Sequence, residues 1–284
     1  MSAWVDLVRA PAALTVLGDT LAGASAAGYP LRGRRLLLPC ASVSFYWAGM
    51  ALNDWADREL DAVERPERPI PAGKIRPAAA LTAAAALTGA GLGLAALGGG
   101  RRALPAAALL AGSVWIYDTV AKDTPAGPLA MALCRGLDVL LGAGDRPRAG
   151  LPAAAVLAGH TLGVTVLSRG EVHGGSRVSG SAALIGTLAA GTAIPTIAGA
   201  DGGISRLAAT AWAAVYAVTV ARAQAAAVRT PSAPAVRRAT VAGIHGMVPL
   251  QAGLAARYGS LAEAATIGLA LPLARYLSRK VSPT

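Results

Sequence analysis

The stretch LLLPCASVSFYWAGMALNDWADRELD, residues 36–61, decides how the rest of the chain is read. Its uncharged part, about 20 residues, is long enough to cross the hydrocarbon core of a bilayer. It then ends in Asn53 and four acids, Asp54, Asp57, Glu59 and Asp61. The 284-residue chain holds only 15 Asp and Glu against 26 Lys and Arg, so this clustering demands a reason.

Composition supports the membrane reading. The chain is 54% hydrophobic and 14% charged, where a soluble domain carries about 25% charged residues. Its charges fall between long apolar runs, at 12–29, 36–57, 77–97, 102–121, 125–143, 151–170, 181–200, 205–227 and 238–256. A tenth run, 261–277, either crosses or lies at the interface. The expectation is therefore all-α: a polytopic membrane helical bundle of nine spans plus that tenth stretch. Residues 1–284 form one integral-membrane domain in this reading, since no long polar segment offers a second. Asp6 and Arg9 precede the first run, which reads as a span rather than a cleavable signal peptide. The runs are rich in Ala and Gly, which let helices approach closely in lipid.

The net charge of +11 invites a nucleic-acid reading, but no basic stripe interleaved with aromatics is present, and the partners expected are membrane lipids, with no nucleic acid. Loop arginines set topology instead. With the N-terminus inside and ten spans, sixteen of the Lys and Arg residues fall on the inner side and nine on the outer. Nine spans leave almost no bias. The protein is expected in the cell membrane, multi-pass, with the acidic cluster facing the cytoplasm. Cys40 and Cys134 lie inside apolar runs with no metal-binding or disulfide spacing.

On a helix, Asn53, Asp54, Asp57 and Asp61 share an arc of about 100°. Carboxylates so spaced repel one another by a few tenths of a kcal/mol per pair, and a helix C-terminus disfavours anions. A solvated helix end explains any one Asp but not the set; a divalent cation among them does. Mg²⁺ prefers a few carboxylates with phosphate oxygens and water. On this reading Asp→Ala changes remove metal ligands, not packing, and relief of repulsion slightly raises stability. The following AVERPERPIPAGKI, residues 62–75, adds Arg65, Arg68 and Lys74 on a Pro-stiffened loop. Arg suits bidentate phosphate contacts and Lys point contacts, so acids and bases together fit a diphosphate.

NDWADRELD followed by RPERPIPAGKI closely resembles the first signature of the UbiA superfamily of intramembrane prenyltransferases, NDxxDxxxD with an R-P-x-P-x-G basic loop. The resemblance implies a helical bundle around a cavity open to lipid, in which Asp-rich motifs hold Mg²⁺ and a polyprenyl diphosphate. Loss of diphosphate leaves an allylic cation that a small acceptor captures. Asp54, Asp57 and Asp61 take catalytic and metal-binding roles on this basis, with Asn53 as a further ligand and Arg65 and Arg68 as substrate contacts. YDTVAKD, residues 117–123, resembles the family's Y-x-x-x-K element, making Tyr117 and Lys122 substrate-binding. Asp118 and Lys122 also stand i, i+4, the spacing of a plain surface salt bridge. CRGLDVLLGAG, residues 134–144, resembles the fifth span, where Arg135 and Asp138 either pair or line the cavity.

The second Asp-rich motif is absent. TVLSRGEVHGG, residues 165–175, stands in its place, with Ser168 near the first Asp position and Glu171 as its one carboxylate. His160, Ser168 and Glu171 share an arc of about 80°, one wall of a cavity. Glu171 holds a second Mg²⁺, or Arg169 neutralises the charge such a metal would; His173 is either a ligand or acid/base group or, as a lone His in a Gly-rich loop more often is, solvated. An EboC-like branch of the superfamily carries this S-R-G-E variant, which implies an acceptor other than the usual quinone precursors. The alternatives are a terpene cyclase or phospho-sugar transferase of the same superfamily, or a non-catalytic lipid binder or transporter.

Overall fold

The computed structural model describes residues 3–29 and 32–278, and within them every long element is a helix. Arg279 and Lys280, counted above among the inner charges, lie outside the described residues. A short α1 (Ala3–Leu7) and a 3-10 turn (Ala10–Ala13) lead into α2 (Leu14–Ala26) and α3 (Leu37–Ala56). The short α4 (Arg58–Glu64) precedes α5 (Pro77–Gly99) and α6 (Leu104–Ile116), which ends in a π-turn over Tyr117–Ala121. There follow α7 (Gly127–Ala143), α8 (Pro147–Ser168), α9 (Arg177–Thr196), α10 (Gly203–Arg229), α11 (Ala233–Arg257) and α12 (Leu261–Ser278).

Each of the ten apolar runs read from the sequence is one of these helices. Among the described residues, six stretches are long and apolar enough to cross a membrane: Gly33–Ala56, Pro77–Arg102, Leu104–Ala121, Pro147–Ser168, Arg177–Thr196 and Gly203–Arg229. Helix starts are set by capping chemistry rather than by hydropathy. Pro77, Pro105, Pro128, Pro147 and Pro234 stand in first turns, where the missing N–H leaves no bond unmade. At α9 the Ser176 hydroxyl accepts from the Ser179 N–H at 3.0 Å, which starts this helix four residues before the expected 181.

Consecutive helices pack side by side, and α11 closes against α2 to complete a ring. The α2–α7 crossing shows why small residues fill these helices. A Cβ on Gly23 would lie 1.9 Å from the Val139 carbonyl oxygen, and one on Gly142 would lie 2.1 Å from that of Thr20. Only glycine lets the two backbones touch. Exposed apolar side chains such as Leu109, Leu133, Ile185 and Leu207 lie on the outside of the ring, a surface suited to lipid rather than water.

The chain turns gather at two rims. One holds the α3–α4 break, the 65–76 loop, the 122–126 turn, the 169–176 turn and the 230–232 turn. The other holds the connections around 27–36, 97–103, 144–147, 197–203 and 257–261. Backbone bonds tie connections within each rim, Gly175 N to the Pro231 carbonyl at 2.9 Å in the first and Ala200 N to that of Arg257 at 3.0 Å in the second.

Candidate functional site

The first rim contains the acidic cluster. α3 stops at Ala56 and α4 starts at Arg58, but Asp57 N still donates to the Asn53 carbonyl at 2.9 Å and Asp61 N to that of Asp57 at 2.8 Å. The helical register therefore survives the break, and Asp54, Asp57 and Asp61 keep a common face. Asp54 and Asp61 are buried, 3% and 2% exposed, so they are not a solvated helix end.

Each of these carboxylates meets a cation. Arg68 Nη1 donates to Asp54 Oδ1 at 3.2 Å and to Asp61 Oδ2 at 2.7 Å, clamping two carboxylates seven residues apart. Arg65, the more exposed neighbour, stands 4.0 Å from Asp61 Oδ1. Lys122 Nζ donates to Asp57 Oδ1. Arg9 Nη2 donates to Asp54 Oδ1 at 3.0 Å while its Nη1 faces the Met50 sulfur at 3.4 Å. The loop that brings Arg68 here is anchored by buried Ile70 and Ile75. It turns through Gly73 at φ +71°, a conformation L side chains rarely adopt, and Lys74 N and Ile75 N both donate to the Pro69 carbonyl. A Pro-rich, doubly bonded loop holds its arginine with little entropy left to lose.

Two residues at this site were not read from the sequence. Arg9 had only a topological role in the sequence reading. It is the one described non-glycine residue with positive φ, +46°, a strained backbone of the kind that collects at functional sites. The sequence reading considers Asp118 only as an i, i+4 surface partner, the alternative to a substrate role for Lys122. Instead it is buried, 3% exposed, and accepts from Asn53 Nδ2 at 3.4 Å. The cause is the π-turn, where Lys122 N donates to the Tyr117 carbonyl five residues back at 2.9 Å. The extra residue in the turn moves Lys122 off the i, i+4 position, so Lys122 reaches Asp57 and Asp118 turns inward. Tyr117 is half-buried and packs against the apolar layer between α3, α5, α6 and α7.

The end of α8 lies in the same rim but is not joined to the acids by a direct contact. Ser168 closes the helix, and its hydroxyl donates back to the Thr165 carbonyl at 2.9 Å. Arg169 reaches over to donate to the Thr124 carbonyl, two residues beyond Lys122. Arg237 Nη2 donates to the backbone carbonyl of Glu171 at 3.2 Å. Among the described residues the Glu171 carboxylate forms no ion pair. His160 does not share a cavity wall with Ser168 and Glu171. It is 2% exposed, with Nε2 3.0 Å from the Gly243 carbonyl and Nδ1 2.8 Å from the Tyr216 hydroxyl, and so ties α8 to α10 and α11.

Of the two readings left open for Arg135 and Asp138, the direct pair is not formed: each meets a partner on another helix. Arg135 Nη1 donates to Asp19 Oδ2 of α2 at 2.6 Å, and Gln251 Nε2 of α11 donates to Asp19 Oδ1 at 2.7 Å. Asp138 accepts instead from Ser42 Oγ of α3 at 2.7 Å. Intramembrane charges are held by partners, and here they cross-link four helices.

The donor set fits a hard divalent cation: four carboxylates and an amide oxygen, with no thiol or imidazole among them. Among the described residues no three His, Cys, Asp or Glu side chains converge as a ready metal cage, because Arg9, Arg68 and Lys122 stand between them. A cage completed by phosphate oxygens and water is the form Mg²⁺ prefers.

Comparison with known proteins places this geometry in a family. The digeranylgeranylglyceryl phosphate synthase of Methanopyrus kandleri is 36% identical over 155 residues, 52% of this chain and 55% of its own length. That of Methanospirillum hungatei is 33% identical over 129 residues, 44% of this chain and 45% of its own. The matches thus span about half the length of these relatives. In fold, the chain resembles a solved digeranylgeranylglyceryl phosphate synthase with a TM-score of 0.68 at 19% identity, over 90% of this chain and 97% of that one. It also resembles a UbiA homologue from Archaeoglobus fulgidus, bound to GPP and Mg²⁺, with a TM-score of 0.59 at 12% identity, over 89% and 99%. Residues 14–168, more than half of the chain and all of the rim from Asn53 to Ser168, match the UbiA prenyltransferase family, and the chain belongs to it.

Proposed function

We propose that residues 1–284 form one integral-membrane domain that transfers a prenyl group from a polyprenyl diphosphate to a small acceptor, with Mg²⁺, at the cytoplasmic face of the cell membrane. The observation that carries this reading is the first rim, where Asp54, Asp57 and Asp61 pair with Arg9, Arg68 and Lys122, with Asp118 held beside them by Asn53, at the end of an otherwise apolar bundle. Paired in this way, the buried acids are tolerated, and both signs of charge stand ready for a ligand that needs both. As a diphosphate enters, Lys122 and Arg68 exchange carboxylate partners for phosphate oxygens. Asp57, Asp61 and Asp54, with Asn53 beside them, are the residues that would hold Mg²⁺ once freed of those partners. That ion, when bound, neutralises the leaving diphosphate.

The donor's C–O bond breaks with its electron pair leaving on the diphosphate, and Arg9, Arg65 and Lys122 stabilise the charge that collects there. The acceptor's nucleophile closes on the allylic carbon, and its proton passes to the released diphosphate. Tyr117 and the apolar layer behind it keep water from the cation. Ser168, Arg169 and Glu171 serve the opposite side of the diphosphate, with Arg169 drawn towards Lys122 through the Thr124 carbonyl and Glu171 offering a further metal ligand. The names of the relatives describe a glyceryl phosphate carrying two geranylgeranyl groups. Geranylgeranyl diphosphate with a glyceryl phosphate that already carries one geranylgeranyl group is therefore the first pair to assay, since one transfer then gives that product. Purified protein should release diphosphate and form a prenylated product from labelled donor with Mg²⁺, and neither with EDTA. Metal-independent turnover, or binding without turnover for every acceptor offered, would refute the proposal.

A further inference from the structure

The second rim, opposite the acidic cluster, carries a concentration of charge that prenyl transfer does not use. The 3-10 turn Gly33–Leu36 before α3, the Gly98–Arg102 end of α5 and the turn after α7 enclose a cavity of about 310 Å³. Four arginines line it, Arg34, Arg35, Arg101 and Arg102, with one carboxylate, Asp145. Asp145 reaches two of them, Arg102 at 3.6 Å and Arg35 at 3.9 Å. Among the described residues, Arg34 and Arg101 have no carboxylate in ion-pair range. Four like charges around so small a space repel one another, and a bound anion removes that repulsion.

The surroundings are built to hold the arginines rather than to disperse them. The Arg35 guanidinium lies 3.4 Å from the centre of the Tyr29 ring, and that of Arg146 lies 4.7 Å from it. A hydrogen bond from Tyr29 keeps the Asp145 carboxyl below its ordinary pKa, so this one acid is ionised at neutral pH and still leaves the arginines in excess. The floor is bare backbone at Gly98, Gly99, Gly100 and Gly144. Gly100 and Gly144 have φ of +70° and +62°, conformations that favour glycine and leave the floor open. At the lip, Leu36 and Leu97 are 53% and 66% exposed. Guanidinium groups suit bidentate phosphate contacts, and exposed leucines beside such a pocket suit acyl chains.

We propose that this pocket is a phosphate-binding site, occupied in the membrane by the head group of an anionic phospholipid. The test uses the full chain, purified in a zwitterionic detergent and offered equimolar phosphatidylglycerol and phosphatidylcholine, with retained lipid counted by native mass spectrometry. A second arm measures thermal unfolding in sodium phosphate against sodium chloride of equal ionic strength. The wild-type protein should retain phosphatidylglycerol over phosphatidylcholine by about tenfold, and Arg34→Gln with Arg101→Gln should abolish the preference. Arg34 and Arg101 have no carboxylate partner to lose and the change relieves their mutual repulsion, so the double variant should be folded and at least as stable as the wild type without lipid. Arg206→Gln, an exposed arginine elsewhere on the same rim, should retain the preference. Phosphate that raises the midpoint and displaces the lipid in the wild type, but not in the double variant, would assign the site to free phosphate as well. Equal retention of the two lipids with no effect of phosphate would overturn the proposal. So would a double variant that keeps the wild-type preference.

Discussion

Asp61→Ala separates this structure from the simpler picture of mutually repelling carboxylates. Asp61 accepts the 2.7 Å bond from Arg68 Nη1, and the side chains are 3% and 12% exposed, so solvent screens the pair weakly. A charge-assisted hydrogen bond contributes about 1.5–3 kcal/mol, and removing one partner of a buried ion pair costs about 3–5 kcal/mol. Arg68 retains Asp54 at 3.2 Å, which places the loss near the lower end, about 2 kcal/mol. Relief of carboxylate repulsion returns only a few tenths of a kcal/mol. The pairing wins, and the variant is destabilised. For a chain of 284 residues the thermal midpoint should fall by about 3–4 °C. Tryptophan fluorescence in detergent at a fixed scan rate reads this directly, since the chain has five tryptophans. Combined with Arg68→Ala in a double-mutant cycle, the coupling should be about 2 kcal/mol. A midpoint that stays or rises, or a coupling below about 0.5 kcal/mol, would refute the reasoning.

The rest of the site makes three further predictions. Lys122→Ala and Arg68→Ala should each weaken donor binding by about 1.5–3 kcal/mol, read as the apparent dissociation constant for a prenyl diphosphate; unchanged affinity in both would leave them as loop salt bridges. Glu171→Gln should raise the Mg²⁺ needed for half-maximal turnover, Ser168→Asp should be tolerated, and Arg169→Ala should cripple turnover; no effect of Glu171→Gln on metal dependence or rate would remove this turn from the metal site. Arg135→Met strands the fully buried Asp19 and should cost about 3–5 kcal/mol, whereas a thermal midpoint like that of the wild type would show the cross-link to be dispensable.

The helices were legible because lipid imposes a length: about 20 apolar residues between charged turns is a strong and local signal. The acidic face was legible for a similar reason, since Asp54, Asp57 and Asp61 lie within three helical turns and their register needs no tertiary knowledge. What the sequence hid is carried by distance along the chain and by backbone irregularity. Arg9 meets Asp54 across 45 residues and Arg135 meets Asp19 across 116, and no spacing rule reaches that far. Asp118 was given no site role because the i, i+4 surface pair was the one reading its spacing offered, and that spacing presumes an α-helix, whereas the π-turn over Tyr117–Ala121 adds a residue. His160 looked accessible on a helical wheel, but its two ring nitrogens are committed to Tyr216 and Gly243. The left-handed backbone at Arg9 had no sequence marker, since arginine is not a residue that favours it.

The central claim is that the Asp54–Asp57–Asp61 face exchanges its arginine and lysine partners for a metal-bound diphosphate. It is tested most directly by a crystal structure of the protein with a non-hydrolysable prenyl thiolodiphosphate and Mn²⁺, whose anomalous signal locates the metal. The account predicts an anomalous peak within about 2.0–2.3 Å of carboxylate oxygens of this face and of a phosphate oxygen. It also predicts Lys122 and Arg68 turned from Asp57 and Asp61 to the diphosphate. A diphosphate bound elsewhere in the molecule, with the Lys122–Asp57 and Arg68–Asp61 pairs intact and no metal peak at these carboxylates, would contradict it.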